Sequence, residues 1–129
     1  MTAEKIVREW REYASRDWHR IHTMLREEDP LAAGFFLQQA VEKYLKAYLI
    51  SQGWGLRKTH ELDRLLDAST QYAAKLMEFR PLCERVSTYY VVERYPGVAG
   101  TGPDTNQVRR DLNEARVLIL ALFPDEQLD

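Results

Sequence analysis

Leu31-Ala32-Ala33-Gly34-Phe35-Phe36-Leu37-Gln38-Gln39-Ala40-Val41-Glu42-Lys43-Tyr44-Leu45-Lys46-Ala47-Tyr48-Leu49-Ile50 is the stretch on which the fold of this chain turns. At 3.6 residues per turn its Phe, Leu, Val, Tyr and Ile residues cover most of a helix circumference. A helix so apolar belongs at the centre of a bundle or between two subunits. Ala33, Ala40 and Ala47 recur every seven residues, which would let a neighbouring helix approach closely. Gln39, Glu42, Lys43 and Lys46 fall at i, i+3, i+4 and i+7 and so form one narrow polar strip. Two readings of the strip stand side by side. One is a solvated edge with a Glu42–Lys46 pair worth roughly 0.2–0.5 kcal/mol. The other is a polar groove facing the fourth helix and the loop after Arg94, because unpartnered polar groups on such a helix are costly to bury.

Upstream, roughly residues 3 to 27 set Ile6, Trp10, Tyr13, Ile21 and Met24 at helical spacing, and predict a long amphipathic helix. Asp17 interrupts that stripe and calls for the edge of the buried face or a partner. Pro30 breaks the chain before the central helix, which runs from Leu31 to about Gln52 and ends at Gly53 and Gly55. A basic loop of Leu56, Arg57 and Lys58 follows, with Thr59 expected to cap a third helix that holds Glu61 in its first turn. Leu62, Leu65 and Leu66 are its buried stripe, while residues 69 to 79 are ambiguous ahead of Pro81. Leu82, Val86, Tyr89 and Val92 predict a fourth helix ending near Arg94. Between Tyr95 and Pro103 three glycines and two prolines exclude a regular element. Asp104 with Gln107 resembles a capping box opening the last helix, whose apolar stripe is Val108, Leu112, Ala115, Ile119 and Leu122. No stretch reads as a strand. The expectation is an all-α, up-and-down bundle of about five helices, formed as a single domain over residues 1–129.

Composition narrows function without naming it. A chain of 129 residues with 45% hydrophobic content can bury a core. Its net charge of -2 argues against a broad polyanion-binding surface, though not against a local basic site. The longest uncharged run, Pro30 to Val41, is too short to span a bilayer, and the charged start lacks a signal-peptide core. With Cys83 the lone cysteine, no internal disulfide can form, and a cytoplasmic location without a membrane is expected. His19 and His22 lie three apart, but no further ligand is spaced to complete a metal site, so neither metal nor cofactor is expected.

The run Phe36 to Ile50, followed by Lys58-Thr59-His60-Glu61-Leu62 and then Glu93-Arg94-Tyr95-Pro96-Gly97, resembles the HEPN domain (higher eukaryotes and prokaryotes nucleotide-binding) over about Ile6 to Phe123. The resemblance implies a four-helix-bundle core, commonly homodimeric. It also implies a minimal nucleotidyltransferase partner and a toxin–antitoxin or nucleotide-linked setting. Family members that act as metal-independent ribonucleases carry Arg, four to six residues, then His near the start of the last long helix. Here that helix offers Arg109, Arg110 and Arg116 without a histidine, and the one such spacing, Arg16 to His22, lies in the first helix. Arginine binds phosphate but is a poor general base, so no catalytic residue is assigned.

The residues expected at a nucleotide or RNA-phosphate site are Gln39, Glu42, Lys43, Lys46, Lys58, Thr59, His60, Arg94 and Tyr95. Arginine and lysine would neutralise phosphate, Glu42 would orient them and Tyr95 would stack on a base. In particular, Lys43, Lys46, Arg57, Lys58 and Arg94 are expected to converge on one groove. Trp54, between two glycines, is expected to be exposed and available to a partner. The alternatives are a ribonuclease toxin with a displaced Arg/His pair, and a purely structural helical adaptor.

Overall fold

In a computed structural model, which describes residues 2–95, 97 and 100–129, the chain is all-helical, with no strand among the described residues. Five α-helices form: α1 (Ala3–Arg26), α2 (Pro30–Ser51), α3 (Leu62–Ser69), α4 (Arg80–Arg94) and α5 (Thr105–Leu122). The ambiguous segment resolves into a 3₁₀ turn, Ala74–Phe79, leading into α4 with Pro81 in its first turn. Among the described residues no helix is long and apolar enough to cross a membrane.

Each end follows from a local device. Thr2 accepts the Lys5 N–H, and Asp29 accepts the Ala32 N–H ahead of Pro30. At the end of α2, Gly53 has φ +96°. Its N–H bonds Ile50 C=O and the Trp54 N–H bonds Leu49 C=O, the paired pattern that satisfies the last carbonyls. Asp104 accepts the Gln107 N–H at 2.8 Å as expected, but the Gln107 side chain does not reach back. It donates instead to the Tyr89 hydroxyl at 3.0 Å, so the box is only half closed.

The third helix corrects the expectation most clearly. It opens at Leu62, with Glu61 as a cap whose side chain makes no capping bond. Thr59 instead accepts the Glu61 N–H at 3.1 Å within the loop, and the Leu62 N–H is taken by Ser87 Oγ of α4 at 2.8 Å. A hydroxyl from another helix does the work expected of Thr59.

Side-chain pairs set the topology. Residue 17 of α1 pairs with 43 of α2, and residue 10 with 46, so α1 and α2 run antiparallel. Arg85 and Tyr89 of α4 meet Asp111 of α5, while Tyr89 also meets Gln107, so those helices are antiparallel too. α2 packs against each of the other four helices. Ala33, Ala40, Ala47, Leu37, Tyr44 and Leu45 are completely buried along it. The all-helical, up-and-down expectation therefore matches, and the centre of the bundle lies within this one chain.

Two features clamp α4 to its neighbours. Asp111, 2% exposed, accepts from Tyr89 OH at 2.5 Å and from Arg85 Nη2 at 3.0 Å. Gly102 has φ +77°, and a side chain there would collide with Leu31 and Val92, so the loop into α5 can lie on α2 and α4 only as glycine. Asp111→Ala is expected to cost about 1–3 kcal/mol by leaving the Tyr89 hydroxyl without an acceptor and Arg85 with Glu114 alone. Gly102→Ala is expected to cost about 1–3 kcal/mol by strain and overlap. Urea unfolding followed by circular dichroism checks both.

Candidate functional site

α2 is hemmed in on most sides, and its polar residues are satisfied from three directions. On the α1 side, Asp17 (3% exposed) accepts from Arg20 Nη1 at 2.7 Å and from Lys43 Nζ. Asp17 thus has the partner its position demanded. Lys43 Nζ also lies 3.4 Å from Gln39 Oε1, and Gln39 Nε2 donates to Gln38 Oε1 at 2.6 Å. Gln38 is fully buried and its Nε2 is shared between Glu42 Oε1 at 3.0 Å and the His60 carbonyl at 3.1 Å. Glu42 Oε2 then accepts from Lys46 Nζ at 2.9 Å, with both side chains buried. The Lys46 ammonium also lies 5.8 Å from the Trp10 ring centroid.

His60 joins this buried chain to the surface. Its Nδ1 is 3.0 Å from Glu42 Oε1, yet half of its side chain remains exposed. Burial raises the Glu42 carboxyl, but hydrogen bonds from Lys46, Gln38 and His60 outweigh it and hold the group below the ordinary carboxylate range. An ionised carboxylate can only accept, so Nδ1 carries the proton and a neutral ring leaves Nε2 as an acceptor. The imidazole stacks on Tyr90 of α4, with centroids 4.7 Å apart and planes 16° apart. Tyr90 in turn stacks on Phe35 at 6.0 Å. Arg94, one turn further along α4, lies 5.1 Å over Tyr90 and 5.9 Å over Phe35. Buried acid, half-exposed imidazole, tyrosine and exposed arginine follow one another in a line.

Glu42, Lys46, His60 and Arg94 are thus linked through contacts, with half-buried Gln39 joined to them through Gln38. The expected convergence of cations does not occur. Lys43 is turned to Asp17, Lys46 is buried against Glu42, and Arg57 lies 4.4 Å over the Trp54 ring. A cation near an acid or an aromatic face gains more there than in open water, which is why these three do not meet at Arg94. Lys58 is exposed, and half-buried Thr59 lines a shallow cavity of about 340 Å³ with Trp54, Arg57, Arg64 and Leu65. Tyr95 is 53% exposed at the end of α4, and the stop expected from Pro96 lies outside the described residues. Trp54 is not the exposed residue expected: it is half-buried against the core, its Nε1 donates to Tyr72 OH, and Arg57 covers its ring.

Sequence reasoning missed Gln38, Tyr90 and Phe35. Gln38 was hidden among apolar neighbours, where its polarity was itself the signal. Tyr90 could have been found from its spacing, since it stands four residues before Arg94 on one helix face. Among the described residues no three His, Cys, Asp or Glu side chains come together as a metal centre.

A family model described as HEPN domain matches residues 7–123. Comparison with the curated proteins and with solved structures gave no match.

Because the Glu42 pKa is lowered on folding, its ionised form favours the folded state above the ordinary Glu range, ~4.3. That contribution disappears as pH falls through the lowered value. Glu42→Gln should therefore be less stable than the parent at pH 7, with Lys46 buried and unpaired, and the gap should narrow on acidification below ~4. Urea midpoints for the two proteins across that range test the sign.

Proposed function

The chain belongs to the HEPN domain family, and on that premise we propose that it is a non-catalytic module binding a nucleotide or an RNA phosphate at the His60–Tyr90–Arg94 surface. The observation that supports this reading best is the stacked line of imidazole, phenol and guanidinium, anchored from below by buried Glu42 and Lys46. Aromatic and guanidinium planes stack on unpaired bases, and a guanidinium can also grip phosphate with two hydrogen bonds. Lys58, Thr59 and Tyr95 flank the surface in sequence and extend it toward the backbone of a bound strand. Within the proposal Lys43 and Gln39 act from behind, by holding the Gln38–Glu42 arrangement, and do not touch ligand.

The module acts in this reading as a cytoplasmic homodimer working with a minimal nucleotidyltransferase, in a toxin–antitoxin-like setting. The family's habits support that, as does the exposed Tyr13 beside Trp10, Glu9 and Lys43 at a cavity of about 310 Å³. Exposed aromatics next to charge suit a protein–protein contact. Co-purification of the nucleotidyltransferase with this chain tests the partnership.

One observation favours a second reading. Glu42 orients His60 through Nδ1 and leaves Nε2 as an acceptor, a geometry in which the imidazole could take a proton from a ribose hydroxyl. This is the ribonuclease alternative, with the histidine supplied by the 52–61 loop and not by the last helix.

Calorimetry with ATP and with short single-stranded RNA tests the binding reading. Arg94→Ala and Tyr90→Ala should each weaken binding about tenfold, equivalent to ~1.4 kcal/mol. Undiminished binding by Arg94→Ala would remove the clamp. For the second reading, incubation with RNA in the presence of a chelator is the measurement. The binding reading expects intact RNA, whereas cleavage lost in His60→Ala would establish the enzyme.

A further inference from the structure

A second cluster of donors, sharing no residue with the His60 surface, lies between α1 and the segment after α5. Asp129 Oδ2 is 3.2 Å from His19 Nδ1, and Oδ1 is 3.5 Å from His22 Nε2, within ion-pair range but without hydrogen-bond geometry for His22. Arg116 Nη1 of α5 donates to the Asp129 carbonyl, and its guanidinium lies 5.4 Å over the Trp18 ring. Trp18 packs edge-on to His22 at 6.2 Å and is 1% exposed. Its indole Nε1 is buried and near the Asp129 carboxylate, yet no acceptor meets it in good hydrogen-bond geometry. A buried N–H left unpaired costs about 1–3 kcal/mol, so its retention beside a cluster of donors calls for an explanation.

Asp129 is not what holds its own segment in place. Glu126 is gripped by Arg11, with Nε to Oε1 at 2.8 Å, and by Tyr44 OH at 2.8 Å, while Leu128 packs against the core. Asp129 is therefore presented to the cluster by anchors upstream of it. Once there, the Asp129 carboxyl is held below its usual range: partial burial works against this, and the backbone N–H, His22, His19 and the Trp18 indole outweigh it. The four side chains are poised for an anion, and one carboxylate does not satisfy them all.

We propose that Trp18, His19, His22 and Arg116 form a phosphate-binding site in which the Asp129 side chain stands where the phosphate group binds. A phosphate carries more acceptor oxygens than a carboxylate and greater charge, so it can take the imidazole and guanidinium donors and the orphaned indole together. Its source is free phosphate or the phosphate of a nucleic acid. Asp129 is a competitor attached to the chain, displaced when the phosphate enters.

The test follows the imidazole signals of His19 and His22 and the indole N–H of Trp18 by NMR during titration with inorganic phosphate. Asp129→Ala removes the competing side-chain carboxylate, while the Glu126 anchor and the main-chain carbonyl that Arg116 meets stay. It should show saturable shifts at all three residues, with affinity at least about tenfold tighter than the parent protein. Adding Arg116→Ala to that variant should remove the gain, and Arg94→Ala should leave it unchanged. No saturable shift in Asp129→Ala, or equal affinity with Arg116 removed, would overturn the proposal. Acetate binding as tightly as phosphate would overturn the phosphate assignment. A 5′-phosphorylated oligonucleotide tighter than inorganic phosphate would identify nucleic acid as the source, and the reverse would identify free phosphate. Loss of RNA binding at the His60 surface, with these shifts intact, would leave this site standing.

Discussion

Every other helix packs against α2, so a polar side chain on α2 is paired only if a neighbour carries a partner to it. Glu42 and Lys46 make the constraint acute. Two charges taken out of water lose several kcal/mol of solvation each, and their mutual attraction compensates only where the remaining hydrogen-bonding positions are filled. On Glu42 they are filled by Gln38 from one turn earlier and by His60 from the loop, while Lys46 also faces the Trp10 ring. On the other flank α1 delivers Asp17 to Lys43. The register of α1 and the path of the 52–61 loop are both tied to the polar residues of one helix. A slide of either by one turn would strand a buried charge.

The helices were legible because burial on a helix leaves a period in the sequence, which α5 shows, and because α2 is apolar over most of its circumference. Asp17 was legible for the opposite reason: an acid inside an apolar stripe must have a partner, and it has two. What could not be read depends on groups far apart in sequence. Thr59 has the chemistry of a cap, but Ser87, 25 residues away, takes the Leu62 N–H. Lys43 looks like a free cation until Asp17, 26 residues away, is placed beside it, and the Glu42–Lys46 pair could be read from its spacing but not its burial. Trp54 looks exposed between its glycines, yet Gly53 turns the chain so that the indole lies back toward Tyr72.

α4 shows how one helix serves both stability and the surface. Tyr89 and Tyr90 are adjacent, so they project about 100° apart. Tyr89 faces inward, bonded to Asp111 and Gln107 of α5, whereas Tyr90 faces out and stacks on His60. Arg85, one turn before Tyr89, reinforces the inner pair, and Arg94, one turn beyond Tyr90, caps the outer stack. The outward ring therefore stands on a helix that its neighbour has locked. In the proposed reading, a platform held this way would lose little conformational freedom on binding a base.

The near-neutral charge of the chain takes on a specific meaning at this point. Among the described residues several cations are committed to carboxylates: Arg11 to Glu126, Lys43 to Asp17, Lys46 to Glu42, Arg80 to Asp67, Arg85 to Asp111. Arg94 and Arg57 instead lie over aromatic rings, and among the described residues neither has a carboxylate partner. A guanidinium on a ring keeps its donors for another acceptor, which one already paired with an acid cannot do. In the proposed reading, phosphate would be held at the His60 surface by a few groups and not by a broad basic face. Such a surface would release few counterions on binding, so discrimination would fall on stacking and on the geometry of individual hydrogen bonds.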